Sequence, residues 1–204
     1  MGAAGEAYGK RIDAFLAAAA AGGRPDAVTA FHAVRQLPYA SRAQRDPAVA
    51  LEAGEAACTA KHLLLRDCLR RLGEEAEVET VEGDFAAGIP EHPSMPAALR
   101  AERRAGPVRD FHNVTLWRGL RLDATWPDAV APLGIATNAG WAGTGDTRIA
   151  VAGGESRGVA EDAAAFKAGL VDAMPAEERD RRARFLALLT GWLDAQRQDL
   201  GRTA

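Results

Sequence analysis

Apolar residues recur along the first third of the chain at helical spacing. Tyr8, Ile12, Phe15 and Leu16 fall at i, i+4, i+7 and i+8, one face of a helix, which predicts a helix over residues 4–21 ending at Gly22-Gly23. Pro25 and Asp26 open a second helix carrying Val28, Phe31 and Val34, and it stops before Pro38. Asp46 and Pro47 read as the N-cap and first residue of a short helix. The stretch GEAACTAKHLLLRDCLRRLG, residues 54–73, reads as a longer helix closed by Gly73. The period then changes. AEVETVEGD alternates and predicts a strand. Residues 84–107 hold Pro90, Pro93, Pro96 and Pro107 and read as loop, with a short helix around PAALRAERR. FHNVTLW and LRLDATW are β-rich runs separated only by Arg118-Gly119, a hairpin signal. TRIAVAG is a further predicted strand. Residues 175–199 close the chain as a helix with Phe185, Leu188, Leu189, Trp192 and Leu193 on one face. Helices first, antiparallel strands next and a helix last predict an α+β fold. No repeat or linker divides the chain, so one domain over residues 1–204 is expected.

Composition changes this picture little. Hydrophobic residues make up 48% and charged residues 26%, ordinary for a globular protein, and the net charge of −3 argues against a nucleic-acid or anionic-membrane surface. The apolar run FLAAAAAGG is short and follows Glu6 and Asp13. It reads as part of the first helix, so no signal peptide, no membrane span and a cytoplasmic location are expected. GWAGTGDTR lacks the spacing of a dinucleotide or phosphate loop, and no cofactor is expected.

Chemistry concentrates on Cys58. Leu65, Leu69 and Leu72 lie within about 40° of it around the helix axis, so the cysteine points with the packed face. Taken alone, Cys58 reads as a buried structural cysteine. A disulfide to Cys68 is excluded, because ten residues of helix separate the two by about 15 Å. Cys58 and His62, at i and i+4, would be a two-ligand start for a metal site completed by His112. The fourth option is a nucleophile: a helix N-terminus stabilises a thiolate. The hairpin bears on this choice. A turn at Arg118-Gly119 sets Val114 opposite Asp123 and His112 opposite Thr125, all four on one face, with His112 and Asp123 diagonal neighbours. A carboxylate holding one imidazole nitrogen frees the other to act as a base. Cysteine, histidine and aspartate are the set that thiol-based acyl transfer needs.

The stretches GEAACTAKHLLLRDCLRRLG, FHNVTLW and LRLDATW together resemble the transglutaminase-like superfamily of papain-type folds. The resemblance spans about residues 34–127 and rests on three parts. A glycine precedes a cysteine that opens a helix ending in Leu-Gly; a strand histidine follows; a D-A-T strand completes the set. Gly54 stands further from the cysteine than in the usual motif. The resemblance implies a core over about residues 34–152, with a nucleophile helix packed on an antiparallel sheet and helical extensions at both ends. It implies Cys58 as nucleophile, His112 as base and Asp123 as orienting acid. The expected activity is that of a peptidase or amidase, or a transglutaminase, acting on a peptide or small amide through a thioester. The Cys58 amide is one expected oxyanion donor. Gln36 is a candidate for another and Tyr39 for lining the site. Trp117, Trp126 and Trp141 are candidates for an apolar substrate wall, though core packing is the commoner use of such residues. Two alternatives stand beside this reading: a non-catalytic scaffold module of the same fold, and a metal protein using Cys58, His62 and His112.

Overall fold

Two of the helix starts announced by the sequence, at Asp26 and Asp46, are set by side-chain caps. In the computed structural model, which describes residues 3–41 and 45–203, α1 (Ala3–Ala19) leads into α2 (Ala27–Gln36), where Asp26 accepts a hydrogen bond from the Thr29 amide. Asp46 accepts from the amides of Ala48 and Val49 at the start of α3 (Pro47–Ala53). Each cap satisfies N–H groups that a helix start leaves without partners. Gly54 adopts φ 68° and ends α3, a left-handed turn that glycine makes without steric cost. This explains its distance from the cysteine: it serves the preceding helix. Between it and α4 (Cys58–Arg71) the chain is clamped by a parallel bridge of Ala56 to Tyr39, with Ala40 N–H on Ala56 O at 3.1 Å and Ala56 N–H on Pro38 O at 3.0 Å.

The antiparallel sheet has the order β3-β2-β1-β4, formed by β1 (Ala76–Asp84), β2 (Arg109–Trp117), β3 (Leu120–Leu122) and β4 (Ala152–Val159). With its helices, this makes the fold α+β. Two short helices, α5 (Phe85–Gly88) and α6 (Ala97–Arg104), join β1 to β2. At the hairpin, Arg118 has φ 50° and Gly119 φ 78°, as a type I′ turn requires at both central positions. The register is the expected one: Trp117 pairs with Leu120, Leu116 with Arg121 and Thr115 with Leu122.

β4 departs from expectation. Residues 147–151 of TRIAVAG are not strand, because amides there are committed elsewhere. Thr147 N–H bonds Arg121 O at 3.0 Å, Arg148 N–H bonds Asn138 Oδ1 at 3.0 Å, and Ala150 N–H bonds Asp123 Oδ2 at 2.7 Å. The ladder begins only at Ala152. A second departure is α7 (Ala163–Asp172), for which the sequence pattern carried no expectation; Asp162 caps it through the Ala165 amide. It leads into α8 (Ala176–Thr203). Among the described residues no helix is long and apolar enough to cross a membrane.

Among the described residues the two largest apolar clusters sit around the sheet. One joins Ile12, Leu16, Phe31 and Val34 to Leu64, Leu65 and Leu69 of α4. The other gathers Val81, Val114, Phe85 and Trp126 under Phe185, Leu189 and Trp192 of α8, and includes Cys58. The fully buried Lys61 ties the parts together. Its Nζ donates to Arg35 O at 2.9 Å, Leu37 O at 2.8 Å and Thr125 O at 2.8 Å. Burial pulls its pKa well down and the Asp123 charge opposes this, yet three carbonyls consume all three donors of an ammonium, which favours the charged form.

Gly88 shows how tightly the segment around Ala150 is held. A Cβ there would overlap the Ala150 carbonyl oxygen, and the Ala150 amide is one of the groups that hold Asp123. Gly88→Ala is expected to destabilise the fold by about 3 kcal/mol, the upper range of overpacking penalties. Urea unfolding measures this. Gly9→Ala is the control: that helical position has open space around it, and the change should stabilise by up to about 1 kcal/mol.

Candidate active site

Cys58 is the first residue of α4, and Ala57 before it offers no capping side chain. Its sulfur therefore sits where helix amides are unsatisfied and the dipole favours negative charge. The site is well covered, with Cys58 8% exposed and both His112 and Asp123 1% exposed.

The hairpin delivers the pair expected of it. Asp123 and Thr125 lie just beyond the last ladder pair, and His112 Nε2–H donates to Asp123 Oδ2 at 2.8 Å. Thr125 Oγ1 stands 3.3 Å from the same nitrogen. Asp123 Oδ1 accepts the Thr125 amide at 2.9 Å, and its backbone N–H donates to Thr147 Oγ1 at 2.6 Å. With the Ala150 bond, the carboxylate accepts three hydrogen bonds and is locked in place. Since Nε2 is engaged, Nδ1 is the imidazole nitrogen left for the thiol, and His112 and Cys58 are close enough for each to shift the other's pKa.

Lys167 is the residue that sequence reasoning missed. It comes from α7, is 4% exposed, and places Nζ 3.4 Å from Cys58 Sγ. A usable signal lay in the sequence: Asp162 is a good N-cap, and Lys167 falls one turn after Ala163 on the face that is buried.

The charges fit together. Burial pushes the Cys58 thiol up, but the Lys167 ammonium and the His112 imidazolium outweigh it and hold the thiol well below its ordinary value. Burial pulls His112 down, while the Asp123 carboxylate and the Cys58 thiolate raise it to about 10. Asp123 is pushed up by burial and brought well below the ordinary carboxylate value by His112. The thiol and the carboxylate thus alternate with the imidazole and the lysine in one buried cluster, each acidic group lowered by a basic neighbour. Cys68 is the contrast: burial pushes its thiol up to about 12, as for an inert packed cysteine.

His62, His112 and Asp123 offer ligand atoms within 4.8 Å of one another, so a metal reading has to be tested on the donors. His62 Nδ1–H donates to Cys58 O at 2.7 Å, and Nε2 accepts the Ala124 amide at 3.1 Å. Both nitrogens are committed, leaving no lone pair for a cation. The same geometry weighs against a Cys58, His62 and His112 site. His62 instead fixes the Cys58 carbonyl and the strand end that carries Asp123.

The remaining candidates divide. Tyr39 is buried in the Cys58 cluster, 4.8 Å from Trp126 between ring centroids, and Trp126 stacks on Phe85. Gln36 is a correction: it is exposed, its Nε2 donates to Asp128 Oδ2, and its Oε1 accepts the Asp128 amide at 3.3 Å. Arg35 fixes the same carboxylate at 2.6 and 3.1 Å, so Gln36 serves that ion pair. Trp117 and Trp141 are corrected likewise. They pack on each other, and Trp141 on Phe31, in the α1–α2 cluster, which does not include Cys58.

Compared with family models, curated proteins and solved structures, the chain matches none.

Proposed function

We propose that the protein is a thiol acyl-transfer enzyme with a transglutaminase-like core, cleaving an amide or peptide bond through a Cys58 thioester. The observation that carries this reading is the buried 2.8 Å bond of His112 to Asp123 beside a cysteine at a helix N-terminus. The chain order Cys, His, Asp and the packing of α4 against β1 and β2 support the fold assignment. The Cys58 thiolate attacks the carbonyl carbon. The imidazolium, oriented by Asp123, gives its Nδ1 proton to the leaving amine. Neutral His112 then takes a proton from water, or from an acceptor amine, as it attacks the thioester. Hydrolysis of a peptide or small amide is the simplest outcome.

A second reading, a scaffold module without turnover, draws on the burial of Cys58. Alkylation by iodoacetamide across pH separates the two. A thiol with a lowered pKa is thiolate at every pH above that value, so the labelling profile of Cys58 should lie at lower pH than that of free cysteine. An ordinary thiol loses about tenfold per pH unit below its pKa near 8.5. Labelling at pH 6 no faster than that of free cysteine would remove the nucleophile claim. A stoichiometric burst of p-nitrophenol from p-nitrophenyl acetate, with acetyl mapped to Cys58, completes the test.

A further inference from the structure

We infer that Lys167 is a catalytic residue that holds the thiolate and then the oxyanion, an inference that rests on the acyl-transfer reading above. The two buried lysines of this chain make the argument. Lys61 gives its three N–H groups to three carbonyl oxygens and is accounted for by structure. Lys167, buried at 4% exposed, has Cys58 Sγ as its one hydrogen-bond acceptor among the described residues, at 3.4 Å. An ammonium with three donors and one acceptor, shut away from water, is poorly satisfied unless further negative charge arrives.

The reaction would bring that charge. As the Sγ–C bond forms, the π pair of the carbonyl moves to oxygen, and the negative charge passes from sulfur to an atom two bonds away. An ammonium already against sulfur has free N–H groups within reach of that oxygen. When the intermediate collapses, the pair returns, the C–N bond breaks, and the amine leaves with the His112 proton. Lys167 keeps its own proton throughout. Among the described residues the Cys58 amide and the Thr59 hydroxyl, 4.0 Å from Sγ, are the other donors beside the sulfur, while Gln36 is turned to Asp128. A second donor aimed at developing charge is where such sites gain most of their rate.

The experiment compares two reactions of the same sulfur in the full chain. Alkylation by iodoacetamide needs thiolate but forms no oxyanion; acylation by p-nitrophenyl acetate needs both. In Lys167→Met the alkylation profile should move to higher pH with a plateau within a few-fold of wild type. The acylation plateau should fall about a hundredfold. Lys167→Arg, which keeps the charge and the donors, should recover at least tenfold of that loss. Equal changes in both plateaus, or none, overturn the inference while leaving a wild-type acylation burst, and so the thiol enzyme, standing. No burst in wild type overturns both. Should Lys167→Met fail to fold, judged by its melting transition, Lys167→Gln is read by the same criteria.

Discussion

Replacing Cys58 by alanine is expected to lower acyl transfer by at least about ten-thousand-fold, as for loss of the nucleophile in other covalent catalysts. Among the described residues Cys68 is the other cysteine, and with no exposed surface and a pKa of about 12 it cannot substitute. The acetyl label and the p-nitrophenol burst should both vanish. The change also removes the anion between two cations. Part of what raises His112 to about 10 is the thiolate, so the imidazole pKa, followed by NMR, should fall in the variant. Cys68→Ala is the matching control: a small core cavity, about 1 kcal/mol less stability and an unchanged burst. A burst that survives Cys58→Ala would place the acetyl on another group and end the thioester mechanism.

The second large effect is expected from Asp123→Asn. The carboxylate accepts from Thr125 N–H on one oxygen, and from Ala150 N–H and His112 Nε2–H on the other. An asparagine must turn its NH2 toward one of these sides, so a donor meets a donor in a site buried on every side. If the amide faces His112, the imidazole can bond it only as the other tautomer, with its proton on Nδ1 and no lone pair left for the thiol. Acylation should fall by about a hundred- to ten-thousand-fold. His112, no longer held by a full negative charge, should titrate below its wild-type value of about 10, so the alkylation profile of Cys58 should shift to higher pH. Loss of rate with no shift in either profile would argue that Asp123 supports the loop around Ala150 and not the imidazole.

Much of this site was legible because its signals are local. The caps at Asp26 and Asp46, the alternation of β1 and the two-residue hairpin depend on backbone geometry within a few residues, and the structure carries each where the pattern put it. The hairpin register then carried His112 and Asp123 together, since a turn of fixed length fixes what stands opposite. TRIAVAG has strand composition, but its amides find partners at Arg121, Asn138 and Asp123, a competition that no local pattern reveals. The tryptophans near one another in sequence separate for the same reason: Trp126 packs with Cys58, while Trp117 and Trp141 pack with Phe31.

By itself the sequence determined the α+β order, the helix that begins at Cys58, and the histidine and aspartate that a two-residue hairpin turn sets as diagonal neighbours. Those follow from periodicity and turn geometry, which act over short stretches of chain. Only the tertiary structure decided that Gln36 belongs to Asp128, that both nitrogens of His62 are engaged by backbone groups, and that Lys167, 109 residues from Cys58, ends against its sulfur. Partnerships across such separations depend on how the sheet, α4 and α7 pack. Packing is a property of volumes and surfaces summed over the whole chain, so it leaves no periodic mark at the residues it brings together.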